Sequence, residues 1–206
     1  MKLIQFIKQL NNTELGKGGT HDTYVLIPNN VDISELFPEP DKEESFTDAI
    51  SGQIYPLRNT VAREKRIVGL GPYYRDYELN AGDEIVFERR MLNGVEKYYI
   101  HALKHNDILV FQKYKSGFEI LTPERIDLFN SFQNNGKLSL SFIKSDKKRT
   151  DSPLSTNYFD IKLEGNSLMS KYSTKEYGYI IQKGDGIREY PFCAWKKVSY
   201  EWSDYE

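Results

Sequence analysis

Residues 84–103 read Glu84-Ile85-Val86-Phe87-Glu88-Arg89-Arg90-Met91-Leu92-Asn93-Gly94-Val95-Glu96-Lys97-Tyr98-Tyr99-Ile100-His101-Ala102-Leu103. Asn93-Gly94 lies between two runs that are rich in apolar and aromatic residues. An Asn-Gly pair in this setting is the strongest short-range signal for a β-hairpin, because both residues tolerate the positive φ of a tight turn. The stretch therefore predicts two antiparallel strands, over residues 84–90 and 96–103.

Short strands of the same kind recur on both sides of this hairpin. They are predicted over residues 23–27, 46–50, 53–57, 67–70 and 108–113. Near-regular spacing of short strands favours a barrel or a sandwich. Short helices are predicted over residues 32–37 and 123–129, the second with Thr122 as its N-cap and Pro123 in its first turn.

The composition of the chain changes after Asn130, where longer polar segments appear between the candidate strands. Polar segments at residues 134–136 and 145–153 separate further candidate strands over residues 138–143, 158–163, 177–182 and 198–202. We interpret residues 1–130 as one domain. Residues 131–206 are predicted to be a β-rich extension or a small second subdomain.

Composition limits the possible functions. The 206 residues are 39% apolar, which is enough for a core, and they carry a net charge of −2. If a chain with this charge binds nucleic acid, it must gather its cations on one face. The acidic run of Glu39, Asp41, Glu43 and Glu44 is expected to lie elsewhere. A single cysteine, Cys193, excludes a disulfide framework and a cysteine-based zinc site. We expect a cytoplasmic protein with no metal, no cofactor and no membrane segment.

A glycine-rich loop, Gly16-Lys17-Gly18-Gly19, precedes the strand at residues 23–27. It is not a nucleotide-binding phosphate loop, because that motif ends in Gly-Lys-Ser/Thr and opens a helix. Its glycines still allow backbone N–H groups to approach an anion closely. Lys17 is expected to act as a point charge on a phosphate. A simple flexible surface turn is the alternative.

A basic segment follows about forty residues later. Residues 58–66 hold four cations and one acid, Glu64, with Asn59 and Thr60 among them. Such a run is often only a solvated face. However, neutral donors and acceptors suit base edges, and a carboxylate can accept a hydrogen bond from cytosine N4. The two segments together predict a clamp for a polyanion, and we expect that polyanion to be duplex DNA.

Signals for an enzyme are weaker. Asp160-Ile161-Lys162 is similar to the Asp-x-Lys end of restriction nuclease sites, but no matching upstream carboxylate is evident. His101 and His105 have no carboxylate motif to complete a metal site. We therefore expect a binding module and not an enzyme. A compact metal-dependent nuclease and a protein-interaction domain are the alternatives.

The order of these features resembles the N-terminal effector domain of EcoRII-type restriction endonucleases. The resemblance covers about residues 3–130, and its most specific part is Glu64-Lys65-Arg66, followed by Gly18-Gly19 and Ile27-Pro28. It implies a mainly β fold of the B3 type, a seven-stranded open pseudobarrel with short helices. Domains of this type grip the major groove of DNA with two arms.

The resemblance also implies which residues bind DNA. Residues 12–21 correspond to one arm, here called the N-arm, and residues 58–70 to the other, the C-arm. The implied contacts are Asn12, Thr13, Lys17, Thr20 and His21 in the N-arm, and Arg58, Asn59, Thr60, Arg63, Glu64, Lys65 and Arg66 in the C-arm. Thr20 separates Gly19 from His21, which departs from the EcoRII-type pattern.

Domains of this type are generally parts of larger systems. Their partners are endonucleases, or GTPase motors of the McrB type as in LlaJI-like restriction systems. This sequence has neither a nuclease core nor a Walker motif. The expected partners are therefore double-stranded DNA and a nuclease or GTPase module of the same restriction system.

Overall fold

The computed structural model describes residues 1–18, 21–127, 137–147, 155–183, 186–192 and 195–202. The fold is mainly β, with an open, curled sheet that forms a half-barrel, and this confirms the predicted fold class. The elements are, in chain order, β1 (Lys2–Gln9), β2 (Tyr24–Ile27), β3 (Glu43–Asp48), β4 (Ile54–Val61), β5 (Lys65–Val68), α1 (Gly71–Asp76), β6 (Glu84–Leu92), β7 (Val95–Leu103), β8 (Ile108–Tyr114), β9 (Gly117–Ile120), a 3-10 turn (Pro123–Arg125), β10 (Leu138–Lys147), β11 (Ser155–Leu163), β12 (Asn166–Ser167), β13 (Tyr177–Lys183), β14 (Gly186–Pro191) and β15 (Lys196–Glu201).

The chain forms two compact units. The first unit contains residues 1–104 and 193–206, and the second contains residues 105–192. The boundary predicted near residue 130 thus falls inside the second unit. The chain returns to the first unit because β15 pairs antiparallel with β1, from Lys2 opposite Glu201 to Ile7 opposite Lys196. A pairing between the two ends of the chain leaves no local signal in the sequence.

The first unit is built on an eight-stranded sheet. Its strand order is β15-β1-β6-β7-β3-β4-β5-β2. Seven of these strands come from the first 103 residues, and β15 is the eighth. All neighbours run antiparallel except β3 and β7, which are parallel.

The two edge strands of this sheet are linked by one side chain. Trp195 lies directly before β15, and its indole Nε1 donates a hydrogen bond of 2.9 Å to the backbone oxygen of Leu26 in β2. The same ring stacks on Phe87, with centroids 6.1 Å apart. Because β15 and β2 are the opposite edges, this contact helps to curl the sheet around its core.

The core of the first unit fills the inner face of the curled sheet. Alternate residues of the strands point inward, including Phe6 of β1, Phe46 of β3 and Phe87 of β6. The rings of Phe46 and Phe87 meet edge to face at 6.0 Å. Tyr73 of α1 is also fully buried in this cluster. This packing fixes the orientation of the strands that carry the candidate site.

The short helices differ from the prediction. Residues 32–37 form a turn instead of a helix, in which the N–H groups of Leu36 and Phe37 both donate to the Ile33 carbonyl. The helix α1 was missed, because Gly71-Pro72 resembles a strand end although proline also suits a first helical turn.

Thr122 does not act as the predicted helix N-cap. Its hydroxyl accepts the N–H of Val110 at 3.0 Å, and only a 3-10 turn follows at Pro123–Arg125. The competing contact with β8 explains the difference. Residues 128–129 of the predicted helix lie outside the described part of the chain.

The second unit is a separate antiparallel sheet. Its strand order is β10-β11-β9-β8-β13-β14, with β12 beside β11. Phe111, Phe118 and Ile161 lie at the centre of its core. The strands predicted over residues 138–143, 158–163 and 177–182 are present here as β10, β11 and β13, whereas the one predicted over residues 198–202 is β15 of the first unit. Within the described residues, no helix is long and apolar enough to cross a membrane.

Candidate nucleic-acid interface

The base of the N-arm is fixed by the buried carboxylate of Glu14. Its Oε1 accepts the Leu26 N–H at 3.1 Å, and its Oε2 accepts the Asn11 N–H at 3.3 Å. Lys8 Nζ forms an ion pair with it at 3.1 Å. Leu15 and Thr23 form a β-bridge across the loop. Sequence reasoning missed Glu14, because a single acid in a polar loop carries no distinguishing pattern.

Most of the N-arm is a structured turn. The Lys17 N–H donates to the Asn12 carbonyl at 2.9 Å, and the Gly16 N–H donates to the Thr13 carbonyl at 3.2 Å. Gly16 has a φ of +70°, and a Cβ there would lie 2.8 Å from the backbone oxygen of His21. The side chain of His21 is exposed. Thr20, a predicted contact, lies outside the described residues.

Lys17 is held more firmly than its glycine-rich surroundings suggest. Its Nζ donates to the Leu79 carbonyl at 3.0 Å and to Asn80 Oδ1 at 2.8 Å. These bonds join the N-arm to the segment that follows α1. The side chain remains exposed, so Lys17 keeps its positive charge at the surface while it positions the loop.

The predicted C-arm contacts lie on two faces of the sheet. β5 lies between β4 and β2, so Arg66 is opposite Thr60 on one side and Leu26 on the other. Alternation along the strands places Arg58, Thr60 and Arg66 on the outer face. Asn59 belongs to the inner face and is only 8% exposed. The sequence motif therefore divides into an outer set and an inner set.

Arg66 is oriented by contacts on two sides. Its guanidinium carbon lies 4.1 Å from the centroid of the Tyr24 ring. Its Nε and Nη2 donate to Glu64 Oε2 at 3.1 and 2.6 Å. The hydrogen bond to Glu64 raises the pKa of the guanidinium. Burial raises the pKa of the Tyr24 hydroxyl, although the Arg66 charge opposes this effect.

These contacts leave some N–H donors of the Arg66 guanidinium available to bind a ligand. A guanidinium carries five N–H donors, and Glu64 takes two of them. Within the described part of the chain, the Nη1 edge has no hydrogen-bond partner. The result is a planar fork at the surface of the C-arm, beside β2.

The remaining C-arm cations are exposed. In the described structure, Arg58, Arg63 and Lys65 make neither an ion pair nor a hydrogen bond through their side chains. Glu43 lies directly opposite Arg58 on β3. The acidic run predicted to lie elsewhere thus adjoins the C-arm, because β3 and β4 form a hairpin. The local surface carries both signs of charge.

The residues of the alternative nuclease site have other contacts. Asp160 Oδ1 accepts a hydrogen bond from the Ser167 hydroxyl at 2.6 Å, and Lys162 Nζ lies 4.0 Å from Asp160 Oδ2. No group of three or more His, Cys, Asp or Glu side chains is placed to hold a metal ion within the described residues. His101, a residue considered above as a metal ligand, is half-buried, and this burial lowers its pKa. Cys193 lies outside the described part of the chain.

Comparisons with known proteins add little to this geometry. No protein family model matches the sequence, and no curated protein matches it. Among solved structures, the N-terminal domain of Helicobacter pylori LlaJI.R1 is similar with 18% identity and a TM-score of 0.35. The similarity covers 66% of this chain and 93% of that one. A TM-score of this size supports no inference about function.

Proposed function

We propose that the chain is a site-specific double-stranded DNA-binding module of a prokaryotic restriction system. The observation that carries the proposal is the Arg66 fork, which Tyr24 and Glu64 hold at the surface of the C-arm. Arginine recognises guanine by donating two parallel hydrogen bonds to O6 and N7. A guanidinium that is already oriented loses less conformational freedom when it makes such a contact.

The neighbouring side chains suit the rest of a DNA interface. Arg58, Arg63 and Lys17 are exposed cations that can contact phosphates, which fixes the position of the protein without reading sequence. Thr60 adds a hydroxyl on the same face as Arg66. With a net charge of −2, the chain has no general attraction to DNA, so binding must depend on this local surface.

The assignment to a restriction system rests on the resemblance of the sequence motifs to EcoRII-type effector domains. In this proposal the N-arm and the C-arm enter the major groove as in B3-type domains. The module then works with a nuclease or GTPase module of the same system, in the cytoplasm. The chain itself performs no catalysis.

Two linked experiments test the proposal. Selection from a pool of random duplexes should enrich one sequence, and gel-shift assays should show that the selected duplex binds and stays intact with and without Mg²⁺. Failure to enrich any sequence would contradict site-specific recognition. Cleavage in Mg²⁺ that is lost in Asp160→Ala would instead support the nuclease alternative.

A further inference from the structure

A cavity of about 420 Å³ lies on the inner side of the C-arm. Its walls come from the ends of β2, β4 and β5 and from the segment at residues 29–40. The residues that matter here are apolar Ile27, Phe37 and Val61, and polar Asp32, Asn59 and Lys65. This volume is within the range of about 300–1,000 Å³ that is typical of small-molecule sites.

Asn59 is the unusual member of the lining. The residue is 8% exposed, and its Oδ1 has no hydrogen-bond partner in the described structure. Leaving a buried acceptor without a partner costs about 1–3 kcal/mol. Asn59 thus places a buried amide with an unused acceptor in the wall of this cavity.

The cavity adjoins the exposed tip of the C-arm. Ile27, Lys65 and Val61 form the last rung of the β2–β5–β4 ladder, next to the turn at residues 62–64. Lys65 and Val61 are exposed while Asn59 is buried, so the space leads inward from the tip. Hydrogen bonds from Ser34 lower the pKa of Asp32, and the charges of Lys197 and then Lys65 lower it further by smaller amounts.

We propose that this cavity receives one nucleobase of the bound DNA, turned out of the base stack. The inference rests on the proposed function and deepens it. Apolar walls suit the faces of a planar ring, the Asn59 amide suits its hydrogen-bonding edge, and Lys65 suits the phosphate of the same nucleotide.

The test uses the duplex selected as above, with 2-aminopurine placed at each position in turn. This fluorophore brightens when it leaves the stack. We expect a several-fold rise at one position with the wild-type chain. Val61→Trp, which fills the outer part of the cavity, should abolish the rise. Asn59→Ala should reduce it. Asp107→Asn, at an exposed turn outside both arms, should leave it in place.

The outcomes separate this inference from the proposed function. A selected duplex that binds with no rise at any position overturns the extruded base alone, as does a rise that Val61→Trp leaves unchanged. If the chain binds no duplex at all, both the extruded base and the proposed function are overturned. A free nucleotide is the other source of such a base, and titrations with AMP, CMP and GMP followed by NMR test for it. If they shift the signals of the cavity residues while no duplex position brightens, the occupant is a free nucleotide and the proposal is wrong.

Discussion

The side chain of Arg66 is held before any ligand arrives. The Tyr24 ring lies against its face, and the Glu64 carboxylate accepts two hydrogen bonds along one edge. A free arginine carries about 2 kcal/mol of rotamer entropy, part of which is lost on binding. Contacts that order the side chain in the unbound protein reduce that cost. Glu64 therefore contributes by orienting Arg66, whether or not it also touches a base.

Glu64→Ala tests this orienting contact. Binding to the selected duplex should weaken, because Arg66 loses its edge contact. Binding to random duplexes should hold or tighten, because one negative charge has been removed from the surface. Gel-shift titrations on both duplexes provide the measurement, with Glu43→Ala as the control for charge alone. Equal strengthening on both duplexes would show that Glu64 has no part in specificity.

Asp48 makes the stability of the first unit depend on pH. Burial alone would raise its pKa, but hydrogen bonds from the Ser51 N–H and from the Tyr77 and Ser51 hydroxyls outweigh burial and lower it. A depressed pKa in the folded state stabilises the fold above the unfolded value of about 3.9, and the contribution is lost as pH falls through the folded pKa.

We expect Asp48→Asn to lower the free energy of unfolding by about 1–3 kcal/mol at pH 7, because buried hydroxyl and N–H donors lose a charged acceptor. The difference from wild type should narrow at about pH 3, because below about pH 3.9 the unfolded wild-type chain binds a proton at this carboxylate that the folded chain does not. Urea titrations at both pH values measure it, and Asp107→Asn at an exposed turn should change little. A difference that is the same at both pH values would mean that the charge is not responsible.

At the scale of elements, Trp195 joins the two edges of the first sheet. Trp195→Phe keeps an aromatic ring near Phe87 but removes the donor to the Leu26 carbonyl. The free energy of unfolding should fall by about 0.5–1.5 kcal/mol. Circular dichroism in urea measures this without depending on tryptophan fluorescence.

Trp202 provides a matched control for this substitution. Its ring is 46% exposed and stacks only on Tyr200 among the aromatic residues described. Trp202→Phe should therefore leave the unfolding free energy nearly unchanged. If both substitutions have the same effect, the indole hydrogen bond does not help to close the sheet.

Elements with a local signal were predictable from the sequence. The hairpin of β6 and β7 was predicted to within two residues at each end, because Asn93-Gly94 specifies the turn. The pairing of β15 with β1 was not predictable, because no residue near position 200 indicates a partner strand near position 5. Residues 32–37 failed as a helix because the Asp32 side chain accepts the Ser34 N–H in a local turn and Pro38 follows directly.

The candidate site was predictable only in part. The basic composition of residues 58–66 is visible in the sequence, but its division between two faces requires knowing that β4 and β5 are strands. Only then does period-two alternation separate Asn59 from Arg66. The contact between Arg66 and Tyr24 could not be inferred, because it depends on the β2–β5 pairing of residues about forty positions apart.

For the whole molecule, binding should depend steeply on salt. The net charge of −2 gives no long-range attraction, so affinity comes from cations clustered at the arms. If about six phosphates are contacted, affinity should fall roughly a thousand-fold between about 50 and 200 mM salt. Fluorescence anisotropy with the selected duplex measures the slope. A nearly flat dependence would contradict phosphate contacts by the arms.

The most direct measurement compares wild type and Arg66→Ala on the selected duplex and on duplexes with each base pair changed in turn. We predict that Arg66→Ala costs about 1–3 kcal/mol on the selected duplex and removes the discrimination at one guanine-containing pair, while the other positions still discriminate. If Arg66→Ala instead weakens binding equally on every duplex, Arg66 contacts phosphate alone and the C-arm does not read sequence as proposed.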